Sequence, residues 1–200
     1  NHAILSLFGY SLTNFKGENH PIMITEYMSN GSLDSLFNNT DQKLSPTKKY
    51  IILLGIALGM KYLHYKGIIH RDIKPGNVLL DENFHPKICD FGCSKSSTDA
   101  IFNLVLPDQE GTPIYMAPEI FSDGFSSYQV DIYAFSILAY ELITGNAPFK
   151  GYKNKIKLFN DVKEGKRPEN EGMNEVIKSF LENCWCADPI KRMSFVKLLK

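Results

Sequence analysis

Two long stretches of the chain are apolar on almost every helical face, and they predict buried helices. Residues 46–65 follow Ser45 and open with Pro46, which are residue types typical of a helix cap and of a first helical turn. Residues 127–144 form the second stretch, which ends at Gly145. Because helices that are apolar all round are usually buried, we expect both to lie in the core of a helical unit.

Shorter patterns predict strands in the first half of the chain and amphipathic helices near its end. β-rich runs bounded by turn residues predict short strands at 5–8, 22–25, 78–80 and 87–89. Apolar residues at helical spacing predict helices at 152–163, at 173–185 and from Ser194 to a point beyond Lys200. A cluster of turn residues at 29–32 marks the expected boundary between two lobes, 1–28 and 29–200. The expected class is α+β, mostly helical with a few strands.

The composition and the charge exclude several classes of protein. The 200 residues include 22 Lys and Arg against 22 Asp and Glu, so the formal net charge is zero, and 44% are hydrophobic. This balance is typical of a globular domain and argues against nucleic-acid binding and against a polybasic membrane anchor. No apolar run reaches the 18 residues that indicate a transmembrane segment.

The start of the chain and its cysteines indicate an intracellular segment. The chain opens on Asn1 without a leader, and we expect it to be part of a longer, cytoplasmic protein. Its cysteines form two close pairs without the CxxC spacing of a zinc site: Cys89 and Cys93, and Cys184 and Cys186. Reduced thiols are therefore expected, with a zinc site as the less favoured alternative.

Three short strings between the two apolar helices carry the candidate chemistry. They are His70-Arg71-Asp72-Ile73-Lys74-Pro75-Gly76-Asn77, Asp90-Phe91-Gly92 and Ala117-Pro118-Glu119. Four residues separate Asp72 from Asn77, and Asp90 follows Asp72 by eighteen. Each string alone is a weak signal, but the three together in this order and spacing are specific.

These strings resemble the catalytic domain of eukaryotic protein kinases, and the resemblance covers essentially the whole chain. It begins near the end of the small lobe of that domain and runs through most of the large lobe. Residues 111–119 and 131–136 are similar to the tyrosine-kinase-like group of Ser/Thr kinases. The resemblance implies a protein-kinase-like α+β fold, truncated at its N-terminus. It also implies an ATP-dependent Ser/Thr kinase that phosphorylates protein substrates in signalling.

The resemblance assigns the catalytic roles to four residues. Asp72 would accept the proton of the substrate hydroxyl, and Lys74 would reach the γ-phosphate of ATP. Mg²⁺ prefers oxygen ligands, which the amide of Asn77 and the carboxylate of Asp90 would supply.

The same resemblance places the nucleotide pocket at the predicted lobe boundary. Thr25 would be the small residue at the back of the pocket, and backbone groups of Glu26 and Met28 would bind adenine. Leu79 would pack under the adenine ring. Ser35, or the aspartate before it, would touch the ribose.

Several supporting contacts are also implied by the resemblance. His70 is expected to pack beneath Phe91. Asp131 is expected to receive backbone N–H groups of the catalytic loop. Glu119 and Arg192 are expected to form a buried ion pair.

Residues 90–119 would form the activation segment. Arg71 would pair with a phosphorylated residue there, and the candidate phosphorylation sites are Ser94, Ser96, Ser97 and Thr98. No hydroxyl lies between Asp99 and Gly111, so regulation by phosphorylation at the more usual position is not expected. Thr112 would hydrogen-bond Asp72 and Lys74.

The chain lacks three motifs of the kinase pattern. It has no glycine-rich phosphate loop, no ATP-anchoring lysine and no helical glutamate to pair with that lysine, and we expect these upstream of residue 1. The chain on its own is therefore expected to be inactive. The alternative is a pseudokinase, a scaffold or nucleotide-binding module without transfer activity, which the absence of an upstream lysine would favour.

Overall fold

The computed structural model describes residues 1–39, 43–96, 113–122 and 127–200. In this part of the chain, the strands are β1 (Leu7–Ser11), β2 (Ile22–Thr25), β3 (Ile68–Ile69), β4 (Val78–Leu80), β5 (Pro86–Ile88) and β6 (Lys95–Ser96). The helices are α1 (Leu33–Asn38), α2 (Pro46–Tyr65), α3 (Pro118–Ser122), α4 (Tyr128–Thr144), α5 (Lys155–Lys163), α6 (Glu175–Cys184) and α7 (Phe195–Leu198). Single 3₁₀ turns lie at Pro75–Asn77, Pro113–Tyr115 and Pro189–Lys191.

The six strands form three antiparallel pairs, β1 with β2, β3 with β6 and β4 with β5. The β1–β2 pair leaves large apolar side chains exposed, among them Phe8, Tyr10 and Met23. The β4–β5 pair is different, because Val78, Leu80 and the residues facing them are buried in the main core. The β4–β5 pair therefore belongs to the main core, whereas the β1–β2 pair contributes little to it. The fold is α+β and mostly helical.

Helix α2 has the predicted bounds. The side chain of Ser45 accepts a hydrogen bond from the backbone N–H of Lys48, which caps the first turn ahead of Pro46. Ile56 and Met60 are completely buried against β4, β5 and α4. The prediction that this helix is buried holds for one face only, since the described part of the chain leaves the opposite face exposed.

Helix α4 is buried along almost its whole length, as its apolar sequence predicts. It separates two cores, one shared with α2 and the β4–β5 pair, and one shared with α3, α5 and α6. The helix ends at Gly145, whose φ of 71° is a left-handed conformation that glycine adopts without strain. The N–H of Gly145 closes the last turn on the carbonyl of Glu141.

Two glycines let helix α2 lie unusually close to strand β5. A Cβ atom on Gly55 would stand 2.4 Å from Cγ of Pro86, and one on Gly59 would stand 2.8 Å from Cδ1 of Ile88. Real Cβ contacts are essentially never that short. The β4–β5 pair, which leads to Asp90, therefore packs its Pro86 and Ile88 side chains directly against the helix backbone.

Several boundaries differ from the sequence predictions. Helix α1 was not predicted, although Ser32 caps it by accepting the N–H of Ser35. Strand β1 begins at Leu7, because the N–H of Leu5 bonds to the carbonyl of Ile88 instead. Strand β5 begins and ends one residue early, and α5, α6 and α7 are slightly shorter than expected. Within the described ranges, no helix has both the length and the apolar character needed to cross a membrane.

Candidate active site

The loop that follows β3 is fixed by the buried carboxylate of Asp131 in α4. The backbone N–H groups of His70 and Arg71 donate to its two oxygens at 2.9 and 2.8 Å, and Nε2 of His64 lies 2.9 Å from Oδ2. The Asp131 side chain is 0% exposed. Arg71 has a φ of 69°, a conformation uncommon for a residue with a side chain. The predicted role of Asp131 as the acceptor for this loop is confirmed.

Two side chains of the same loop hold the carboxylate of Asp72. Nζ of Lys74 lies 2.7 Å from Oδ2 of Asp72. Nδ2 of Asn77 donates to the same oxygen and to the Asp72 carbonyl, at 2.8 Å each. Because both side chains contact Oδ2, Asp72 is held in one orientation. The Asn77 amide uses its nitrogen for these bonds, which leaves its oxygen on the other side of the group.

Asp90 reaches this loop through the pairing of β4 with β5. Val78 pairs with Ile88, and the N–H of Cys89 donates to the carbonyl of Asn77 at 3.0 Å. Asp90 is thus one residue beyond the direct partner of Asn77. It has a φ of 61°, and its Oδ1 accepts the N–H of Gly92 at 3.2 Å. The pairing of β4 with β5 therefore brings together the strings that contain Asn77 and Asp90, which lie more than ten residues apart in the sequence.

His70, in the first string, contacts residues on both sides of Asp90. Its ring lies 5.1 Å from the ring of Phe91, and its Nε2 lies 3.1 Å from the carbonyl of Cys89. The predicted packing of His70 against Phe91 is confirmed. Burial lowers the pKa of His70 and outweighs the nearby carboxylates of Asp131, Asp72 and Asp90, which raise it. His70 is therefore neutral at neutral pH and acts as packing and as a hydrogen-bond partner.

The segment predicted to bind adenine is held by Glu26, which contacts the residue before β1 and a lysine of β5. Oε1 of Glu26 accepts the N–H of Ser6 at 2.7 Å, and Oε2 lies 2.9 Å from Nζ of Lys87 in β5. Burial raises the pKa of Glu26, but the hydrogen bonds from Lys87 and Ser6 outweigh it, and the pKa is lowered. This contact could not be predicted from the sequence, because Lys87 lies far along the chain from Glu26.

Two other residues predicted to line the nucleotide pocket, Thr25 and Met28, lie on either side of Glu26 in the sequence. Oγ1 of Thr25 donates to the carbonyl of Glu26 at 3.2 Å, and Met28 is buried with its carbonyl accepting the N–H of Gly31.

The residues predicted to contact the adenine ring and the ribose meet at Ser32. Leu79 in β4 forms an isolated bridge with Ser32, and the Oγ atoms of Ser32 and Ser35 lie 2.9 Å apart. The structure thus places Leu79 and the start of α1 side by side. The contacts of these residues with a nucleotide stay predictions.

One buried and one partly buried polar pair support the segment before α4. Nη1 and Nη2 of Arg192 bind the two carboxylate oxygens of Glu119 at 2.6 and 2.9 Å, which confirms the predicted ion pair. The Tyr115 hydroxyl donates to Oε2 of Glu141 at 2.5 Å, a contact the sequence did not reveal. Burial raises the pKa of Glu141, and the hydrogen bond from Tyr115 only partly offsets this.

Part of the predicted activation segment lies outside the described residues, including Ser97, Thr98, Gly111 and Thr112. Before that part, Oγ of Ser94 donates to the carbonyl of His70, and β6 pairs with β3. Nη1 of Arg71 reaches the carbonyl of Cys93 at 3.4 Å, while its buried Nε has no partner among the described atoms. The phosphate-binding role of Arg71 stays a prediction.

The cysteines are free thiols. Burial raises the pKa of Cys184 to about 12, so this thiol is protonated and unreactive at neutral pH. In the described part of the chain, no group of three or more His, Cys, Asp or Glu side chains could hold a metal ion.

Comparison with known proteins identifies the family. The profile of the protein kinase domain matches residues 4–200, almost the whole chain. The chain therefore belongs to the protein kinase domain family, and the α+β fold is the one that this family predicts.

Several curated relatives are named as serine/threonine kinases. A probable serine/threonine-protein kinase of Dictyostelium discoideum is 37% identical over 88% of the chain and 19% of its own length. Serine/threonine-protein kinase CTR1 of Arabidopsis thaliana is 33% identical over 88% of the chain and 22% of its own length. Receptor-interacting serine/threonine-protein kinase 2 of Bos taurus is 33% identical over 88% and 36%.

These relatives indicate to which group of kinases the chain is similar and how much of their length it spans. CTR1 and receptor-interacting kinase 2 are members of the tyrosine-kinase-like group, which confirms the predicted resemblance. The chain spans between about a fifth and about a third of the three relatives. The activity of the whole protein is therefore a proposal.

Proposed function

We propose that this chain is the greater part of the catalytic domain of a Mg²⁺-ATP-dependent protein kinase that phosphorylates Ser and Thr. The observation that carries the proposal is the fixed orientation of Asp72 by Lys74 and Asn77, next to the β5 end that carries Asp90. In this proposal, residues 1–28 end the small lobe and lead into the large lobe, 29–200.

The side chains on the loop and at the end of β5 fit a magnesium ion. The Asn77 amide oxygen points away from Asp72, and Asp90 follows the residue that pairs with Asn77, so two oxygen donors are available on adjacent segments. Mg²⁺ is commonly bound by one or two such side chains together with phosphate oxygens and water. When bound, it neutralises charge on the phosphate oxygens of ATP. Asn77 and Asp90 would hold it.

Asp72 is the group proposed to take the proton from the substrate hydroxyl. Lys74 and Asn77 both occupy Oδ2, so Oδ1 is the oxygen that faces the hydroxyl in this proposal. A carboxylate held in one orientation aligns the attacking oxygen without a loss of conformational freedom at the moment of reaction. The ammonium of Lys74 adds positive charge beside the transferred phosphoryl group.

The nucleotide would lie between the segment after β2 and strand β4. Thr25 would stand at the back of the pocket, and the backbone of Glu26 and Met28 would bind adenine. Leu79 would support the ring, and Ser35 would approach the ribose. The ionic contact of Glu26 with Lys87 supports this placement, because it fixes the adenine-binding segment to the strand that leads to Asp90.

A transfer assay on the full-length protein tests the proposal. Wild-type protein and Asp90→Asn are incubated with Mg²⁺, radiolabelled ATP and casein, and the phosphoamino acids are separated. We expect phosphoserine and phosphothreonine from the wild type and a loss of about 100-fold or more in Asp90→Asn. The matched control is Glu82→Gln, an exposed carboxylate in the β4–β5 turn, which should retain wild-type turnover.

Two results of this assay would contradict the proposal. Unchanged turnover in Asp90→Asn would show that Asp90 is not a ligand of the catalytic magnesium ion. Nucleotide binding without transfer in the wild type would instead indicate a scaffold or nucleotide-binding module. Circular dichroism of each variant separates a loss of chemistry from a loss of fold.

A further inference from the structure

Helix α2 has an exposed apolar face that the catalytic site does not use. Tyr50, Leu58 and Tyr65 are 65%, 46% and 82% exposed, and Tyr62 is also exposed. Their positions repeat at helical spacing, so they lie along one side of the helix. The sequence predicted that this side would be buried. Exposed apolar stripes of this kind are a common mark of interaction sites.

The C-terminal half of this face, from Leu58 to Tyr65, forms one wall of an open groove of about 580 Å³, called here the α2 groove. Its apolar surface comes from Leu58, Tyr62, Tyr65, Tyr128, Phe195 and Val196. The first turns of α4 and α7 therefore form the facing wall. Tyrosine offers a large contact area at a low cost in side-chain entropy, which suits a surface that binds another chain. The groove shares no residue with the proposed catalytic or nucleotide-binding set.

The charge of the α2 groove is entirely positive among its described lining residues. Lys61 lines it, and no Asp or Glu does. Nζ of Lys66 lies 5.8 Å and 5.5 Å from the ring centroids of Tyr62 and Tyr65, which holds a second cation at the rim. The whole of α2 contains no Asp or Glu, although the chain as a whole is neutral.

The two lysines at the groove differ from others on α2 in what they contact. Nζ of Lys49 donates to the carbonyl of Ile143 at 3.0 Å, and Nζ of Lys48 lies 3.7 Å above the ring of Phe84. Neither Lys61 nor Lys66 has a carboxylate within salt-bridge distance in the described part of the chain. Their charges are therefore available to a ligand.

We propose that the α2 groove docks an acidic peptide segment of a protein partner. Large apolar side chains of the segment would enter between the tyrosines, and its Asp or Glu residues would bind Lys61 and Lys66. Charge complementarity selects this occupant, because an apolar groove with a positive rim favours a ligand that is both apolar and anionic. The concave shape fits a peptide better than a flat lipid surface, which binds through protruding apolar side chains and larger basic clusters.

One side chain, His64, connects the α2 groove with the proposed catalytic loop. His64 lines the groove, and its Nε2 lies 2.9 Å from Oδ2 of Asp131, the carboxylate that holds the loop before Asp72. The docking proposal does not depend on the proposed kinase activity, because it is tested by binding alone.

The test is a selection of peptides on the full-length protein. A displayed library of random 16-residue peptides is selected against the wild type, and the enriched peptides are synthesised and measured by fluorescence anisotropy. We expect peptides with an excess of Asp and Glu around one or more Leu, Phe or Trp residues. Their binding should weaken as salt rises from 50 to 500 mM, since the contacts to exposed lysines are screened.

Charge-reversal variants locate the binding site. Lys61→Glu combined with Lys66→Glu should weaken binding at least tenfold, and Tyr65→Ser should weaken it through the loss of the apolar contact. Lys153→Glu combined with Lys163→Glu is the matched control, because both lysines are exposed and remote in sequence from α2. The control should bind within about twofold of wild type, as expected for surface charges outside the interface.

Four outcomes would overturn the proposal. They are an absence of enriched peptides, enrichment without acidic bias, and equal binding to the wild type and the Lys61→Glu/Lys66→Glu protein. The fourth is a different occupant. Binding of vesicles with 30% phosphatidylserine that the same variant abolishes, or a concentration-dependent dimer that it dissociates, would assign the groove to a membrane or to a second copy of the chain.

Discussion

Oδ1 of Asp131 accepts the backbone N–H of Arg71 at 2.8 Å, although the two residues lie 60 positions apart. The contact ties α4, which is buried along almost its whole length, to the loop that carries Asp72. A carboxylate completely removed from water is stable only when its oxygens are well hydrogen-bonded. The geometry of the loop and the burial of the Asp131 carboxylate therefore depend on each other.

Replacement of Asp131 by asparagine should damage both stability and turnover. Asn keeps the shape but offers one acceptor oxygen in place of two, and its amide N–H groups would face the backbone donors of His70 or Arg71. Because hydrogen bonds to charged groups contribute about 1.5–3 kcal/mol each, we expect the free energy of unfolding to fall by about 2 kcal/mol or more. Urea denaturation of the full-length protein and steady-state turnover measure the two effects.

The exposed carboxylate of Glu171 provides the comparison. Glu171→Gln removes one charge from the surface and should change the free energy of unfolding by less than about 0.5 kcal/mol. Equal losses in Asp131→Asn and Glu171→Gln would contradict the structural role of Asp131.

The sequence predicted those parts of the molecule that depend on local pattern or on a recognised motif. The bounds of α2 follow from Ser45, Pro46 and the apolar run, all of which act within the helix. The start of β1 could not be predicted in this way, because the N–H of Leu5 finds its partner in Ile88, far along the chain. The exposed side of α2 depends likewise on what the rest of the fold fails to cover.

The candidate site shows the same division. The resemblance to kinases supplied Asp72, Asn77 and Asp90 by their spacing. The bonds of Glu26 to Lys87 and of Tyr115 to Glu141 connect distant positions that carry no local signal, so only the folded structure reveals them.

Removal of Arg192 should destabilise the protein strongly. Its guanidinium is fully buried and binds both oxygens of Glu119. Breaking a buried pair leaves the other charge without a partner, which costs about 3–5 kcal/mol. We therefore expect Arg192→Ala to lower the free energy of unfolding by that amount, measured by denaturant titration of the full-length protein.

The neighbouring Lys191 offers a control with the same change of charge. Its contact with Asp188 is 3.8 Å long, with the side chains 74% and 43% exposed. Exposed pairs contribute about 0–1 kcal/mol, so Lys191→Ala should have little effect. Similar losses for Arg192→Ala and Lys191→Ala would count against a special role for the buried pair.

An alanine at position 55 should be destabilising even though alanine favours helices. The substitution gains about 1 kcal/mol of helix propensity. The new Cβ would stand 2.4 Å from the rigid ring of Pro86, and overpacking in a core costs about 1–3 kcal/mol. Because a contact this short demands a backbone shift, the steric cost should lie in the upper part of that range, and we expect a net loss of about 1–2 kcal/mol in Gly55→Ala.

Gly9→Ala distinguishes this steric effect from a general effect of alanine. No atom lies within 4 Å of a Cβ built on Gly9. Its free energy of unfolding should stay within about 0.5 kcal/mol of wild type. A stabilised Gly55→Ala protein would show that the backbone of α2 does not lie this close to the Pro86 ring.

The pH dependence of stability should report the burial of Glu141. Burial raises the pKa of Glu141, Asp34 adds to this, and the bond from Tyr115 offsets only part of it. The folded protein therefore binds a proton at Glu141 more readily than the unfolded chain does. Between the usual glutamate pKa and the raised pKa, this group makes the protein less stable as pH rises.

Glu141→Gln removes that titration. Relative to the variant, the wild type should lose stability as pH rises through this window and then reach a constant difference. Urea denaturation between pH 4.5 and pH 8 measures the effect, with Glu171→Gln as a variant that should follow the wild-type curve. A difference between wild type and Glu141→Gln that grows in the opposite direction would contradict the assigned burial.

The most direct test of the account is γ-phosphate transfer by the full-length protein with Asp72 replaced by asparagine. Asparagine keeps the size of the side chain and its contact with Lys74, but it cannot accept the substrate proton. General-base catalysis typically contributes about 10²–10⁴-fold, so we predict a fall in turnover of at least about 100-fold with nucleotide affinity nearly unchanged. Turnover within a few-fold of wild type would contradict the central claim that Asp72 is the base.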